Sequence, residues 1–253
     1  MKKRFIPIAL ILCFLAAQVG ADELSDPASI VRDSFEHYRG LASESTVEMV
    51  IHRPSWERSV TMDAWTKGNS DSLIRITSPP KDEGNGTLKK GQEMWMYNPK
   101  VNRVIKLPPA LMSQSWMGSD FSNNDLAKSD SILNDYTHTL LRTEHHDGHK
   151  VFVIKSMPKT QAPVVWGMQI IKVRDDRVML SEEFFDEDMQ SVKQLTVREI
   201  QLMSGRMFPK IWRMQETGKQ DQYTLLRYHS LKFLDDLPDN LFTLNALRTK
   251  HRE

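Results

Sequence analysis

The sequence predicts a mainly β protein with a few helices, folded as one domain around a highly curved antiparallel sheet or an open barrel. Short segments from Thr46 to Phe233 alternate apolar and polar residues with the period of two that marks a strand with two differently solvated faces. Turn signals rich in Gly, Pro, Asn and Asp separate about ten or eleven such segments into successive hairpins. About 230 residues follow the leader without a linker or internal repeat, a length that suits one large β domain.

The first 21 residues form a predicted signal peptide. Three basic residues, Lys2, Lys3 and Arg4, precede an apolar run that ends in small residues at Val19-Gly20-Ala21. The apolar run is short for a membrane span, which needs about 20 residues, although an uncleaved anchor is the alternative. We expect residues 22–253 to form the mature domain, exported across the inner membrane into the periplasm.

Composition excludes several classes of function. The single cysteine, Cys13, lies in the leader, where Leu12 precedes it instead of the small residue of a lipoprotein signal. The mature chain therefore has no disulfide or thiol chemistry. The chain carries 34 Lys and Arg against 33 Asp and Glu, and three of the basic residues belong to the leader. A nearly neutral mature chain argues against nucleic acid as a partner and against charge-driven membrane binding.

An amphipathic helix is predicted to open the domain. Asp26 and Pro27 are typical of a helix start, and Gly40 of a helix end. One face of this helix carries the apolar residues Ile30, Val31, Phe35 and Tyr38. We expect that face to pack against a sheet.

The strands follow in order. Segments 46–52, 60–64 and 73–77 come first, a hairpin of 88–97 and 101–107 follows, and strands from 132–142 to 223–233 complete the sheet. Segments 151–157 and 207–214 carry apolar residues on both faces, so that one set faces the core and the other lies under helices or lines a cavity. The acidic runs Glu182-Glu183 and 186–188 are predicted to form a solvated edge.

The segment 84–126 is the most apolar loop region of the chain. Residues of this segment, with two from a later strand, are predicted to line a ligand cavity: Met94, Trp95, Met96, Leu111, Met112, Trp116, Met117, Phe121, Trp212 and Met214. Methionine suits such a cavity because its flexible side chain adapts to ligands of irregular shape, although it also fills ordinary cores.

Residues 111–121 follow the stiff pair Pro108-Pro109 and contain the flexible Gly118. One hypothesis is that this stretch is a lid, which covers the mouth of the barrel and moves aside when a ligand enters. The alternative is a permanent plug. The two differ in the stability expected when Trp116 or Phe121 becomes Asp.

A histidine cluster is a candidate metal site. His145, His146 and His149 surround the turn signal Asp147-Gly148, and imidazole is a common metal ligand. A two-residue hairpin turn sends alternate side chains to opposite faces, and the spacing matches neither a helical zinc-protease pair nor a zinc finger. We therefore expect no metal and no cofactor.

Catalytic motifs are absent from the sequence, which has no nucleophile elbow, phosphate loop or dinucleotide fingerprint. Ser119 and Asp120 have no histidine near them in sequence. We expect this turn to cap the following short helix and to direct Phe121 inward. The protein is therefore predicted not to be an enzyme.

Several motifs resemble one known family. Leu88-Lys89-Lys90-Gly91, Met94 to Pro99, Gly118-Ser119-Asp120-Phe121 and the C-terminal Leu237 to Thr243 are similar to the outer-membrane lipoprotein-sorting proteins of the LolA-like superfamily. The resemblance covers nearly the whole mature chain. It implies a periplasmic half-barrel whose concave face is plugged by helices.

The resemblance also implies a function and partners. It implies a monomeric carrier that moves a lipid or lipid-anchored cargo between membranes. An inner-membrane transporter would supply the cargo, and an outer-membrane acceptor would receive it. The alternative is a lipid-sensing regulatory module of the same fold. Such modules usually carry an extra domain, and the few residues after Leu247 therefore favour the carrier.

Overall fold

The computed structural model describes residues 26–249. The predicted signal peptide and Cys13 lie outside the described residues. Within them, helix α1 spans Pro27–Arg39, α2 Asn123–Ala127, α3 Ser131–Asn134 and α4 Leu244–Arg248. Short 3-10 turns occupy Pro109–Leu111, Trp116–Gly118 and Asp239–Leu241. None of the helices in this part of the chain is both long enough and apolar enough to cross a membrane.

The described residues form thirteen strands in one antiparallel sheet. The strands are β1 Ala42–Arg53, β2 Trp56–Lys67, β3 Asp71–Ser78, β4 Gly86–Lys90, β5 Glu93–Asn98, β6 Arg103–Lys106, β7 Tyr136–His146, β8 His149–Pro158, β9 Met168–Arg174, β10 Met179–Phe185, β11 Ser191–Met203, β12 Arg206–Glu216 and β13 Tyr223–Leu234. The sheet order runs from β6 back to β1, then through β13 down to β7. Because β6 and β7 are the two edges and do not pair, the sheet is an unclosed half-barrel, as the sequence predicted.

Two strand predictions were wrong in detail. The segment 88–97 is two strands, because Gly91 adopts a φ of +60° and forms a turn in which Lys90 pairs with Glu93. Residues 132–134 belong to α3 and not to the following strand. Ile132 and Leu133 are both buried, and successive residues of a strand cannot both face one side. A helical turn brings both of them into the cluster formed with α1.

Helix α1 begins and ends as predicted. The Asp26 carboxylate accepts hydrogen bonds from the backbone N–H groups of Ala28 and Ser29. Gly40 ends the helix with a φ of +68°, and the Phe233 ring would lie 2.6 Å from any Cβ placed there. Glycine is therefore required where the chain turns from α1 into the central strand β1.

The connection between the two sheet edges decides what fills the concave face. Strand β6 and strand β7 follow one another in sequence but lie at opposite ends of the sheet, so residues 107–135 must cross from one edge to the other. We call these residues the crossing segment. It packs on the inner side chains of β1, β2, β3 and β5 in a cluster with Met49, Ile51, Met62 and Met94.

Helix α1 covers the other half of the concave face. Its residues Ile30, Val31 and Phe35 pack with Ile154 and Ile171 of β8 and β9. The C-terminal tail lies elsewhere, where Leu241, Phe242 and Leu247 contact a separate cluster with Leu73 and Leu88. The predicted plugging of the half-barrel by helices therefore divides between α1 and the crossing segment.

Candidate functional site

A cavity of about 210 Å³ lies between α1, the crossing segment and strands β9 to β13. Most of its lining is aromatic or aliphatic, and a smaller set of polar groups enters it. The lining includes Val31, Phe35, Tyr38, Phe121, Ile132, Tyr136, Trp166, Ile171, Met179, Phe184, Leu195, Trp212, Met214, Leu226 and Tyr228, with Ser34, Asp125, Lys128, Gln169 and Glu182 among the polar residues.

Strand register sets the cavity floor. Glu182 of β10 pairs with Ile171 of β9 on one side and with Leu195 of β11 on the other, and Leu195 pairs with Met214 of β12. Paired residues of neighbouring strands point to the same face of a sheet. A carboxyl group therefore lies in the middle of an apolar row.

The predicted solvated edge was wrong for Glu182. Although part of its surface faces the cavity, its carboxyl lies deep within the protein. Desolvation by burial raises the pKa of Glu182 to about 8; the Asp125 carboxylate acts in the same direction, and Lys193 opposes both. The neighbouring Glu183 instead accepts a hydrogen bond from the Ser191 hydroxyl at 2.7 Å, and Glu187 and Asp188 of the same predicted edge are exposed.

The period-two alternation of β10 by itself predicts that Glu182 and Phe184 lie on the same face of the strand, and both line the cavity. The register of β10 against β9 shifts between Met179 and Ser181. Met179 lines the cavity as a result. The sequence shows the alternation but not this irregularity, so it does not predict that Met179 lines the cavity together with Glu182.

A buried ion pair closes one side of the cavity. The Lys193 ammonium contacts the Asp125 carboxylate, and their side chains are 5% and 7% exposed. The same ammonium lies 5.0 Å from the ring centroid of Trp166 and 5.6 Å from that of Phe184. Asp125 also accepts from the Ser122 backbone N–H as part of the α2 capping box. The pair therefore joins the start of α2 to strand β11.

Tyrosine hydroxyls supply further polar groups. Burial holds the pKa of the Tyr38 phenol well above its ordinary value and raises that of Tyr228 to about 12. The Tyr38 ring meets Trp212 edge-on, with centroids 6.4 Å apart. These phenols stay neutral at physiological pH and can donate hydrogen bonds.

The pKa of Glu182 makes stability depend on pH. In the unfolded chain this carboxyl loses its proton near its ordinary pKa of 4.5, whereas in the folded protein it keeps the proton until about pH 8. Its contribution is therefore fully present below 4.5 and is lost as the pH rises through 8. Between pH 6 and 8 the free energy of unfolding of the wild type should fall by about 2 kcal/mol relative to Glu182→Gln.

Urea denaturation of both proteins at the two pH values measures this difference. Glu183→Gln is the matched control and should follow the wild type. A wild type and a Glu182→Gln variant with the same pH dependence would show that Glu182 is not desolvated.

The ten residues predicted to line a cavity lie in several different places in the structure. Phe121, Trp212 and Met214 line the cavity. Met94 and Trp116 are buried in the neighbouring cluster, against which Met96, Met112 and Met117 pack. Trp95 lies in the cluster with the C-terminal tail, and Leu111 is 36% exposed. A ligand role for any of the ten stays a prediction.

The crossing segment is held firmly in place. Trp116 is 3% exposed, and its indole N–H donates to the Thr87 hydroxyl at 3.1 Å. Its backbone N–H donates to the Phe121 carbonyl at 2.7 Å, which closes the loop between them. Met117 and Gly118 both have positive φ, at 55° and 78°. The tight turn that Gly118 was expected to permit is present.

Asp120 connects this turn to the sheet. Its carboxylate accepts two hydrogen bonds from the Arg53 guanidinium, both at 3.1 Å, and one from the Thr224 hydroxyl at 2.6 Å. The Asp120 side chain is 3% exposed. The role expected for it, capping the following helix, belongs instead to Ser122, whose hydroxyl accepts from the Asp125 backbone N–H.

The histidine turn is a hairpin, as predicted, with Asp147 and Gly148 both at positive φ between β7 and β8. His149 lies near Asp175 and Asp176, and one potential ligand atom from each lies within 4.8 Å of the others. However, an Arg174 N–H group lies 2.8 Å from the His149 Nε2.

A guanidinium therefore already places positive charge beside these two carboxylates. His145 and His146 are exposed and lie outside this group. The absence of a metal stays a prediction: calorimetric titration with zinc should give no binding tighter than about micromolar, and stoichiometric binding abolished by His146→Ala would contradict it.

Comparison with known proteins finds one matching family model and several solved structures of similar architecture. A family model with the description "Uncharacterized protein" matches residues 68–249. A DUF1329 family protein from Desulfovibrio piger is 22% identical, with a TM-score of 0.78 over 88% of this chain and 100% of that chain. A search of curated proteins finds no match.

Two further solved structures are similar. A LolA superfamily protein from Nitrosomonas europaea is 24% identical, with a TM-score of 0.73 over 87% of this chain and 99% of that one. An outer membrane lipoprotein-sorting protein domain from Vibrio parahaemolyticus is 21% identical, with a TM-score of 0.74 over 88% and 98%. At these identities the comparison confirms the fold expected from the resemblance.

Proposed function

Because this chain belongs to the family whose model matches residues 68–249 and has the LolA-like fold, we propose that it is a periplasmic carrier of lipid or lipid-anchored cargo. The carrier receives its cargo from an inner-membrane transporter and delivers it to an acceptor at the outer membrane. It performs no catalysis. The observation that supports this function is the apolar cavity on the concave face of an unclosed sheet.

The need for such a cavity follows from the cost of exposing hydrocarbon to water. Burial is worth roughly 0.8 kcal/mol per methylene, so a sixteen-carbon chain represents about 13 kcal/mol. A carrier must therefore enclose the acyl chains while they cross an aqueous space. The rings of Phe35, Phe184 and Trp212 and the side chains of Leu195 and Met214 offer such an apolar enclosure.

The cavity is smaller than a lipid site. Sites for drug-sized ligands measure about 300–1,000 Å³, whereas this one measures about 210 Å³. A covering element must therefore shift for a long acyl chain to bind. The crossing segment is tied to the sheet through Trp116 and Asp120. Helix α1 also lines the cavity. Hydrogen bonds of His37 and Arg39 hold its C-terminal end, whereas Ile30, Val31 and Phe35 rest on apolar contacts. We therefore propose that the N-terminal part of α1 shifts.

Filling the cavity tests the function. Leu195→Trp places a larger side chain in the cavity floor, and it should weaken binding of an uncharged fluorescent acyl probe by about tenfold or more, equal to 1.4 kcal/mol. Leu202→Trp is the matched control, because Leu202 lies on the same strand and is 67% exposed. It should bind as the wild type does. Equal affinity in all three proteins would contradict the proposed site.

Two measurements separate a carrier from a sensing module of the same fold. Mass spectrometry of lipids extracted from protein purified out of the periplasm identifies the cargo. Incubating the loaded protein with acceptor vesicles then shows whether it releases that cargo. A carrier transfers the lipid to the vesicles, whereas a sensor retains it.

A further inference from the structure

Four polar side chains that line the cavity have no hydrogen-bond partner among the described residues. Among the described residues, no hydrogen bond reaches the Glu182 carboxyl or the Tyr38 and Tyr228 hydroxyls. The Ser34 hydroxyl oxygen is fully buried without a partner, and Ser34 is 4% exposed. Burying a polar group without a hydrogen bond costs stability. A ligand made of hydrocarbon alone would leave these groups unpaired and their burial cost uncompensated. These groups therefore indicate a ligand with a polar end.

The charges around Glu182 select the sign of that polar end. Three cations near the cavity already have partners. Lys193 pairs with Asp125, and Lys128 donates to the Pro163 carbonyl. The buried Arg39 guanidinium near Tyr38 donates to two backbone carbonyls. An anionic group beside Glu182 would hold that carboxyl in its neutral form, gain no ion pair from it, and lie near the Asp125 carboxylate. Like charges in a desolvated site repel strongly.

A cationic group beside Glu182 would be attracted where an anionic group would be repelled. An ammonium beside Glu182 forms an ion pair with its carboxylate, and the other carboxylate nearby, Asp125, is already compensated by Lys193. The rings of Phe35, Tyr38 and Trp212 stand close together, with centroid distances of 5.2 and 6.4 Å along the series. Aromatic faces attract ammonium groups, and the attraction grows when the site is desolvated.

We propose that Glu182 binds the amino group of a cationic amphiphile, whose hydrocarbon chain occupies the apolar part of the same cavity. The inference rests on the proposed carrier function and names its ligand class. Tyr38 and Tyr228 line the same cavity. The empty cavity holds Glu182 as the neutral acid, and the ammonium replaces that proton.

This exchange makes binding depend on pH. Glu182 keeps its proton until about pH 8, so below that pH an ammonium must displace it. The ionisable groups that face Glu182 are Asp125 from α2, Lys193 from β11, and the phenols of Tyr38 and Tyr136. The phenols stay neutral over this range. Affinity for an amine should therefore rise by more than about tenfold from pH 6 to pH 8.

The test compares three ligands with the same hydrocarbon chain. Decylamine, decanol and decanoate are titrated below their aggregation concentrations into the mature protein at pH 8, with binding followed by calorimetry. The wild type should bind decylamine at least about tenfold more tightly than decanol, a difference of 1.4 kcal/mol. Decanoate should bind most weakly. The affinity for decanol should not change between pH 6 and pH 8.

Glu182→Gln isolates the carboxyl at nearly constant shape. It should bring decylamine to within about twofold of decanol and leave the affinity for decanol unchanged. Glu183→Gln, whose side chain belongs to the neighbouring position of the same strand, should match the wild type. The pH series on the wild type needs no variant and tests the same ion pair.

The outcomes separate the two proposals. If decanol binds but decylamine shows neither a preference nor a pH dependence, the amine site is wrong and the carrier function stands. Tightest binding of decanoate would likewise overturn the amine site. If none of the three ligands binds, both proposals fail.

Discussion

Trp116→Asp should cost at least about 4 kcal/mol in the free energy of unfolding, the largest effect of any change considered. The substitution leaves a cavity where the indole packed against the β1 and β2 side chains, which costs about 3–5 kcal/mol for a tryptophan. It also buries a carboxylate without a partner and removes the donor to the Thr87 hydroxyl. Chemical denaturation followed by circular dichroism measures the change.

Leu111→Asp is the control for this prediction. Leu111 belongs to the same crossing segment but is 36% exposed and lies outside the four described hydrophobic clusters. It should lose less than about 1 kcal/mol. The lid hypothesis makes the opposite prediction for Trp116, since a lid with intermittent contacts loses ligand binding at little cost in stability. A stable Trp116→Asp protein that no longer binds a fluorescent fatty acid would support the lid and exclude the permanent plug.

Asp120→Ala should cost about 3 kcal/mol. The change leaves the Arg53 guanidinium, which is 16% exposed, without its carboxylate and removes the acceptor of the Thr224 hydroxyl. Removing one partner of a buried ion pair typically costs 3–5 kcal/mol, because the remaining charge stays desolvated, and the partial exposure of Arg53 places this pair at the lower end. Urea denaturation provides the measurement.

An exposed ion pair provides the comparison for Asp120. Glu93 contacts Lys106 with side chains 53% and 56% exposed. Glu93→Ala should therefore change stability by less than about 1 kcal/mol. If Asp120→Ala were equally mild, the turn would not be anchored through Arg53.

Local patterns predicted most of the fold. Alternation identified the strands of the sheet, and cap residues identified α1, because both depend only on neighbours in sequence. One error was a missed local turn at Gly91, and the other occurred where a tertiary contact decided the structure. Ile132 and Leu133 form a helical turn because both must meet α1, and no local pattern marks that requirement.

The candidate site was less predictable. Phe121, Trp212 and Met214 were expected at a cavity and lie there, whereas Trp95 packs under the tail, one residue from the buried Met94. Glu182 was expected in solvent and lies inside. A strand pattern shows which residues share a face but not whether that face is enclosed, since enclosure depends on segments far away in sequence.

The sequence by itself determined an antiparallel β domain, its opening helix and its turns, because strand period, caps and turn residues are local properties. Only the tertiary structure decided which face of the sheet was closed. The edge strands β6 and β7 do not pair, so residues 107–135 cross the concave face, and α1 covers what they leave open. That arrangement removes water from Glu182 and raises its pKa to about 8, because desolvation depends on every atom around a group rather than on its neighbours in the chain.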